Sequence, residues 1–370
     1  MLKTDFDIVI LGAGVIGLAC ARKLSMIGFK TIVIEKNSSF GQETSSRNSE
    51  VLHSGIYYKA NTNKAFLCRD GLFKIYEYCK NNNIRYSKIS KWVVATSKSE
   101  QESLSELFDN AHKNGCDELY YLSNKEIKSS EPELNYINAF CSPYSGIVDS
   151  HSLMLSFIGE IESYGGTIVY ESLFKEANVD DQSFNLNIQN KNGSHTKISS
   201  RHVINCSGLN ALNVAQKFEN FRNNEDFQMK YFKGNYFSYS GKIPFSRLIY
   251  PLPEKQGLGI HLTLDLAAQG KFGPDVEEIN SLNYDVSNDK KDYFLKSIRK
   301  YWKNIDEKKL MPSYSGIRPK ILKKNKFIHD FVFDVHHDTD SKLINLLGFE
   351  SPGLTSSLAI ADKVLQIIES

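Results

Sequence analysis

Apolar residues run unbroken through Ile8-Val9-Ile10-Leu11 and stop at Gly12-Ala13-Gly14. They resume at helical spacing through Val15, Leu18, Ala19 and Leu24, and return as Ile32-Val33-Ile34. A short, wholly apolar run bounded by glycine is the pattern of a strand buried on both faces, and the 3.6-residue spacing after it predicts a helix. The opening therefore reads strand, glycine turn, helix, strand, and closes on an acid, Glu35. Helical spacing recurs over 64–80, 99–115 and 123–130, the last opened by Ser123 with Glu126 three residues on, a capping pair. Residues 84–95 are rich in β-branched and aromatic side chains, and Trp92-Val93-Val94-Ala95 predicts a strand. Gly146-Ile147-Val148-Asp149 introduces a helix over 152–164, Gly165-Gly166 stops it, and a strand follows over 167–170. Residues 171–200 alternate like a small antiparallel meander turning at Asn192-Gly193, and 201–206 is an apolar strand running into Ser207-Gly208. The stretch 228–300 is aromatic-rich and strand-like, and the chain closes with a strand over 343–347, a glycine loop over 348–353 and a helix over 355–368.

Strands alternating with helices predict an α/β chain, and its 370 residues suggest two domains. The reading assigns 1–85, 145–215 and 310–370 to a discontinuous nucleotide-binding domain of Rossmann-like type. Residues 86–144 and 216–309 are assigned to an inserted, antiparallel-sheet substrate domain.

Composition narrows the function classes. At 41% hydrophobic the chain can bury a large core, and a net charge of +2 gives no bulk electrostatic case for nucleic acid. The six cysteines are scattered with no CxxC pair, which points to a reducing compartment and predicts no metal cluster. The run 8–21 is too short to span a bilayer, and Asp5 and Asp7 stand where a secretory signal carries basic residues. The expectation is a cytoplasmic protein with no transmembrane segment; peripheral contact with the inner face of a membrane stays open.

The candidate chemistry begins at the glycines. Gly12 permits the tight turn, Gly14 lets backbone approach a pyrophosphate, and Gly17 lets helix and strand pack closely. The helix that Val15 opens then offers free N–H groups to phosphate, and Glu35 can accept from a ribose diol. A motif so near the start of a chain of this size leans towards FAD. After the second strand, Thr44, Ser45, Ser46, Arg47 and Asn48 supply hydroxyls, a cation and an amide, with Lys36 just before them. His53 sits among small and apolar residues. Its unperturbed pKa near ~6.5 suits it to take a hydroxyl proton or to stabilise charge, and a packing role stays open beside these. His261 lies on an expected strand with apolar neighbours. Arg318, in Gly316-Ile317-Arg318-Pro319, offers the bidentate geometry that carboxylates select. Ser207 and Gly208 end one strand; Gly348, Ser351, Gly353, Leu354 and Thr355 form another strand-to-helix turn whose dipole favours negative charge. Lys233 and Tyr250 are weaker candidates for a distal carboxylate.

Four segments together carry a family pattern: the N-terminal fingerprint; 44–58, which includes Ser46-Arg47-Asn48-Ser49-Glu50-Val51-Leu52-His53-Ser54-Gly55-Ile56-Tyr57-Tyr58; His261-Leu262-Thr263-Leu264-Asp265 with Phe272-Gly273-Pro274-Asp275-Val276; and Gly316–Pro319 with 348–355. Over nearly the whole chain the sequence resembles the FAD-dependent D-amino-acid-oxidase-like superfamily, most closely its L-2-hydroxyglutarate dehydrogenase/oxidase branch. The resemblance implies a glutathione-reductase-type FAD domain and non-covalent FAD. It implies oxidation of a small 2-hydroxy acid, L-2-hydroxyglutarate to 2-oxoglutarate, with hydride passing to flavin N5 and electrons to quinone or oxygen. Arg318 would hold the substrate carboxylate or contact flavin, and His53 or His261 would take the hydroxyl proton. An amine or amino-acid oxidase, a glycerol-3-phosphate dehydrogenase-type enzyme and a non-catalytic flavin-binding redox protein remain as alternatives.

Overall fold

The computed structural model describes residues 4–180, 183–218, 226–253, 259–338 and 341–370. The chain divides into one compact unit of Met1–Ser46, Ser150–Tyr231 and Arg318–Ser370, and another of Arg47–Asp149 and Phe232–Ile317. These boundaries differ from those expected: residues 47–85 go with the second unit. The pairing explains this, because strand Val51–Leu52 lies on Gly146–Val148, which also pairs with Tyr86–Ser87. The Tyr76 hydroxyl also donates to the Tyr144 carbonyl.

In the first unit the strands Ser341–Leu347, His195–Asn205, Phe6–Leu11, Thr31–Ile34 and Thr167–Val169 lie side by side in that order, all parallel. Val332–Asp338 runs antiparallel on the outer side of Ser341–Leu347. Ile10 pairs with Val33 on one side and Ile204 on the other. All four residues of Thr31–Ile34 and all seven of Ser341–Leu347 are buried, as expected for strands covered on both faces. Helix Val15–Met26 packs against Ser150–Ser163 and Gly353–Glu369. The meander forms as the alternation predicts: Ser172–Asp180, Ser183–Asn190 and the early part of His195–Asn205 pair antiparallel, over a core of Phe174, Phe184 and Phe218. At the end of the sheet the buried Asn205 donates to the Asn345 side-chain oxygen at 2.9 Å and to the Ala211 carbonyl at 2.8 Å.

The second unit's sheet includes Gly270–Phe272, Leu262–Leu264, Leu248–Pro251, Lys91–Ala95, Asn138–Ser142 and Tyr120–Tyr121 in that order. It is antiparallel except where Leu248–Pro251 runs parallel to Lys91–Ala95, a departure from the all-antiparallel expectation. Those two strands belong to distant segments, so no hairpin fixes their relative direction. A second departure is the helix Lys291–Ile298 inside the stretch expected to be strand-like. Phe294, Leu295 and Ile298 recur at helical spacing, and Phe294 packs on Phe237 with ring centroids 4.4 Å apart. Gly146–Val148 is itself a strand, and the helix after it starts at Ser150.

All six cysteines are free, and five are buried. Among the described residues no helix is long and apolar enough to cross a membrane, and no acid, histidine and cysteine cluster could hold a metal.

Candidate active site

The first unit builds a cradle around its opening turn. Gly12 has φ +109°, and a Cβ there would lie 2.7 Å from the Cys206 carbonyl oxygen; one at Gly17 would lie 2.0 Å from the Gly12 oxygen. Both positions therefore require glycine. The buried Glu35 carboxylate braces the turn, accepting from Ala13 N–H at 2.7 Å with one oxygen and from Asn37 N–H at 2.8 Å with the other. Each oxygen keeps a lone pair for a diol. Ser45 Oγ accepts from Val15 N–H at 3.0 Å, and a Cβ at Gly14 would meet that Oγ at 3.1 Å. Helix Val15–Met26 has no acid in its first turn and no capping side chain on Gly14, and Gly353–Glu369 likewise lacks both. Two helix N-termini with no acid of their own, a glycine turn and an acid at the second strand fit the pyrophosphate and ribose of FAD.

The other expected cofactor residues of this unit are placed as follows. The Lys36 ammonium pairs with Glu43 at 2.6 Å, and Ser46 Oγ donates to the Glu43 carbonyl, so Thr44 lies in a loop closed on itself. Ser207 Oγ donates to Asn205 Oδ1, and Gly208 follows with φ +56°. Gly348 has φ +71°, and a Cβ there would press Ile321 Cγ2 at 3.0 Å. Gly353 N–H donates to the Glu350 carbonyl at 2.6 Å, and the buried Glu350 carboxylate pairs with Lys320 at 2.6 Å. Ser351 is exposed, Leu354 half-buried and Thr355 fully buried. Arg318 is half-buried on strand Leu310–Lys323, and no carboxylate among the described residues pairs with it.

Arg47 and Asn48, adjacent in sequence to Ser45 and Ser46, fall in the second unit. The Arg47 guanidinium lies 4.2 Å over the Tyr284 ring, and its carbonyl oxygen sits where a Cβ at Gly316 would be, 2.1 Å away. The Asn48 carbonyl accepts from the Tyr314 hydroxyl at 2.7 Å.

The second unit also gathers both expected histidines around one buried amine. Lys91, fully buried at the head of the strand Lys91–Ala95, places Nζ 3.3 Å from His53 Nδ1. The same ammonium lies 4.3 Å from the Tyr250 ring centre and 5.5 Å from that of Tyr57. Tyr250 in turn stacks on His261, ring centroids 3.7 Å apart and planes within 11°. The His53 and Ser54 carbonyls accept from the thiols of Cys68 at 3.3 Å and Cys116 at 3.1 Å, which pins the segment. The Tyr57 hydroxyl is buried with no hydrogen-bond partner among the described residues. Such an atom costs free energy unless something polar meets it. Burial draws the Lys91 ammonium down to about 7, the nearby Cys68 and Cys116 opposing the shift, and burial pushes the Tyr57 hydroxyl up. Tyr250 thus joins the cluster, whereas Lys233 donates to the Asp285 carbonyl and serves the scaffold. Sequence reasoning missed Lys91 and Tyr57. The signal for Lys91 was a lysine heading the strand Lys91-Trp92-Val93-Val94-Ala95, of which every position is buried.

Comparison with known proteins agrees with this geometry. The family described as FAD dependent oxidoreductase (DAO) matches residues 7–367. The chain is 37% identical to the mitochondrial L-2-hydroxyglutarate dehydrogenase of Arabidopsis thaliana, covering 98% of this chain and 83% of that protein. It is 28% identical to the human protein of the same name, covering 99% and 90%. Its fold resembles that of the FAD-bound L-alpha-glycerophosphate oxidase of Mycoplasma pneumoniae, with a TM-score of 0.87 at 22% identity, over 99% of this chain and 95% of that one. The relatives' names place those proteins in mitochondria and lend the expected cytoplasmic location no support.

Proposed function

Because the chain belongs to the DAO family of FAD-dependent oxidoreductases, we propose that it oxidises L-2-hydroxyglutarate to 2-oxoglutarate. The observation that carries the substrate is the near full-length identity to the plant L-2-hydroxyglutarate dehydrogenase. FAD, held at the glycine turn and the two helix N-termini, supplies the acceptor for the C2 hydride. Arg318 holds the C1 carboxylate; a half-buried guanidinium with no acid partner among the described residues suits a bidentate carboxylate. His53 takes the hydroxyl proton. His261 lies flat on Tyr250 and orients that ring beside the amine. The Tyr57 hydroxyl is a donor waiting for a polar group of the substrate. Electrons leave to a quinone or to oxygen.

The test is an anaerobic absorbance scan of the purified protein at the flavin band near ~450 nm on adding L-2-hydroxyglutarate. Rapid bleaching is expected. A yellow protein that bleaches with glycerol 3-phosphate or glycine and not with L-2-hydroxyglutarate would overturn the substrate while leaving the cofactor in place.

A further inference from the structure

Three side chains form a polar row across the covered sheet of the first unit. On neighbouring strands Asp334 stands opposite Asn345 and Asn345 opposite Asn205, which in turn lies opposite Leu11, the residue before Gly12. Both asparagines are fully buried, Asn345 between Ile344 and Leu346. Buried amides cost free energy unless their polar atoms are met. Here they are met in one direction. Asn345 donates to Asp334 Oδ2 at 3.1 Å, which also lies 2.8 Å from His336 Nε2. Asn205 donates to Asn345 Oδ1 at 2.9 Å and to the Ala211 carbonyl at 2.8 Å, and the Ser207 hydroxyl donates to Asn205 Oδ1. A carboxylate and a carbonyl only accept. Asp334 at one end and Ala211 at the other therefore fix both amides; turning either over would set oxygen against oxygen. The consequence falls on Ser207. Its one hydroxyl hydrogen is committed to Asn205, so its oxygen presents only lone pairs, and no donor among the described residues meets them. Ser207 is half-buried against the dinucleotide turn: a Cβ at Gly12 would lie 3.2 Å from its Cα.

We propose that the row Asp334–Asn345–Asn205 positions Ser207 as an acceptor for a hydroxyl or amine of FAD. This rests on the reading of the cradle around Gly12 as the FAD site. Asn205 is the positioning residue, and Asn345 and Asp334 behind it keep its oxygen turned towards Ser207. A phosphate oxygen gains nothing from a hydroxyl whose hydrogen is already given away, so Ser207 serves the donors of FAD and leaves the pyrophosphate to the glycine turn and the helix N-termini. FAD carries such donors on both of its halves. ADP carries those of the adenosine half alone, so the two sources can be told apart.

The experiment measures the Kd for FAD by flavin-fluorescence titration and the Kd for ADP by calorimetry, with a thermal melt of each protein. The proteins are FAD-stripped wild type, Ser207→Ala, Asp334→Leu, Asp334→Asn and the double variant Ser207→Ala with Asp334→Leu. Ser207→Ala should weaken FAD about fivefold, the loss of one hydrogen bond. Asp334→Leu removes the end acceptor, frees Asn345 to turn, and should weaken FAD by about the same factor. Asp334→Asn keeps an accepting oxygen and should stay within about twofold of wild type. In the Ser207→Ala background Asp334→Leu should change the Kd by less than about twofold, because its effect passes through the missing hydroxyl. A row that only stabilises the fold would lower Tm and let the two losses multiply to about twenty-fivefold, which overturns the proposal. So does an unchanged Kd for FAD in Ser207→Ala, a result readable even if the Asp334 variants fail to fold. Weakening of ADP as well as FAD by Ser207→Ala places the donor on the adenosine half, and weakening of FAD alone places it on the riboflavin half. Wild type that binds neither FAD nor ADP would instead overturn the cofactor placement beneath the proposal.

Discussion

Replacing Glu35 with glutamine tests whether this acid braces the turn, binds the ribose, or does both. In the structure its two oxygens accept from Ala13 N–H and Asn37 N–H. Glutamine keeps one carbonyl oxygen, so its amide NH₂ must face one of those donors. A buried N–H is then left without an acceptor, at about 1–3 kcal/mol, and the surviving bond loses its charge assistance. In FAD-stripped protein this lowers Tm by roughly 2–4 °C per kcal/mol for a unit of this size. If Glu35 also accepts from the ribose diol, binding weakens further: a loss of about 1.4 kcal/mol raises the Kd for FAD tenfold. Thermal melts of the stripped protein read the first effect, and flavin-fluorescence titration reads the second. A lower Tm with unchanged Kd would make Glu35 a brace alone. An unchanged Tm would refute the hydrogen-bond reasoning itself.

Gly17→Val should abolish FAD binding, because its Cβ would fall 2.0 Å from the Gly12 oxygen and force the turn open; a normal flavin spectrum in the purified variant would contradict the placement. Arg318→Ala should raise KM at least about tenfold or stop turnover while FAD stays bound, and full activity would remove Arg318 from the site. Lys91 has its folded value drawn down to about 7 from an unfolded value near ~10.4. Its burial cost is therefore complete below about pH 7 and fades as pH rises towards ~10.4. Lys91→Met should stabilise the protein by about 1–4 kcal/mol at neutral pH and by progressively less in alkali, measured by denaturant unfolding at two pH values; a gain that grows with pH would reverse the sign of the argument. FAD should be non-covalent, leaving a colourless pellet after acid precipitation; a yellow pellet would show a covalent link.

The dinucleotide turn was readable because its constraints are local. Gly12 and Gly17 answer to contacts within a few residues or at the end of one neighbouring strand, and the apolar runs on either side announce a covered sheet. Both histidines stood out as candidates from their residue type, but the buried amine they gather around did not. Lys91 is buried only because Cys68, Cys116, Tyr57 and Tyr250 converge on it from other segments, and a lone lysine opening a strand otherwise reads as a solvated edge. Arg47 and Asn48 have long-range contacts that adjacency in sequence does not show. Adjacency to Ser45 suggests one shared cofactor loop, and their contacts include Tyr284, Gly316 and Tyr314, more than two hundred residues further along. The parallel pairing of Leu248–Pro251 with Lys91–Ala95 was invisible for a related reason, since alternation sets which face a residue takes but not the direction of a distant partner.

The order of strands in the nucleotide-binding sheet has a consequence for how the protein is made. Phe6–Leu11 lies against His195–Asn205, which lies against Ser341–Leu347. At ribosomal speeds of about 5–20 residues per second, the first of these strands has Thr31–Ile34 on one side early but waits roughly ten seconds or more for His195–Asn205 on the other, and that strand waits about as long again for the next. Until then one edge of Phe6–Leu11 is unpaired, and an unpaired apolar strand edge is an aggregation risk. The cradle around Gly12 cannot close before Cys206 arrives, so flavin loads late in synthesis or after release. A cell short of flavin should therefore accumulate folded, colourless protein that can be rescued by adding FAD.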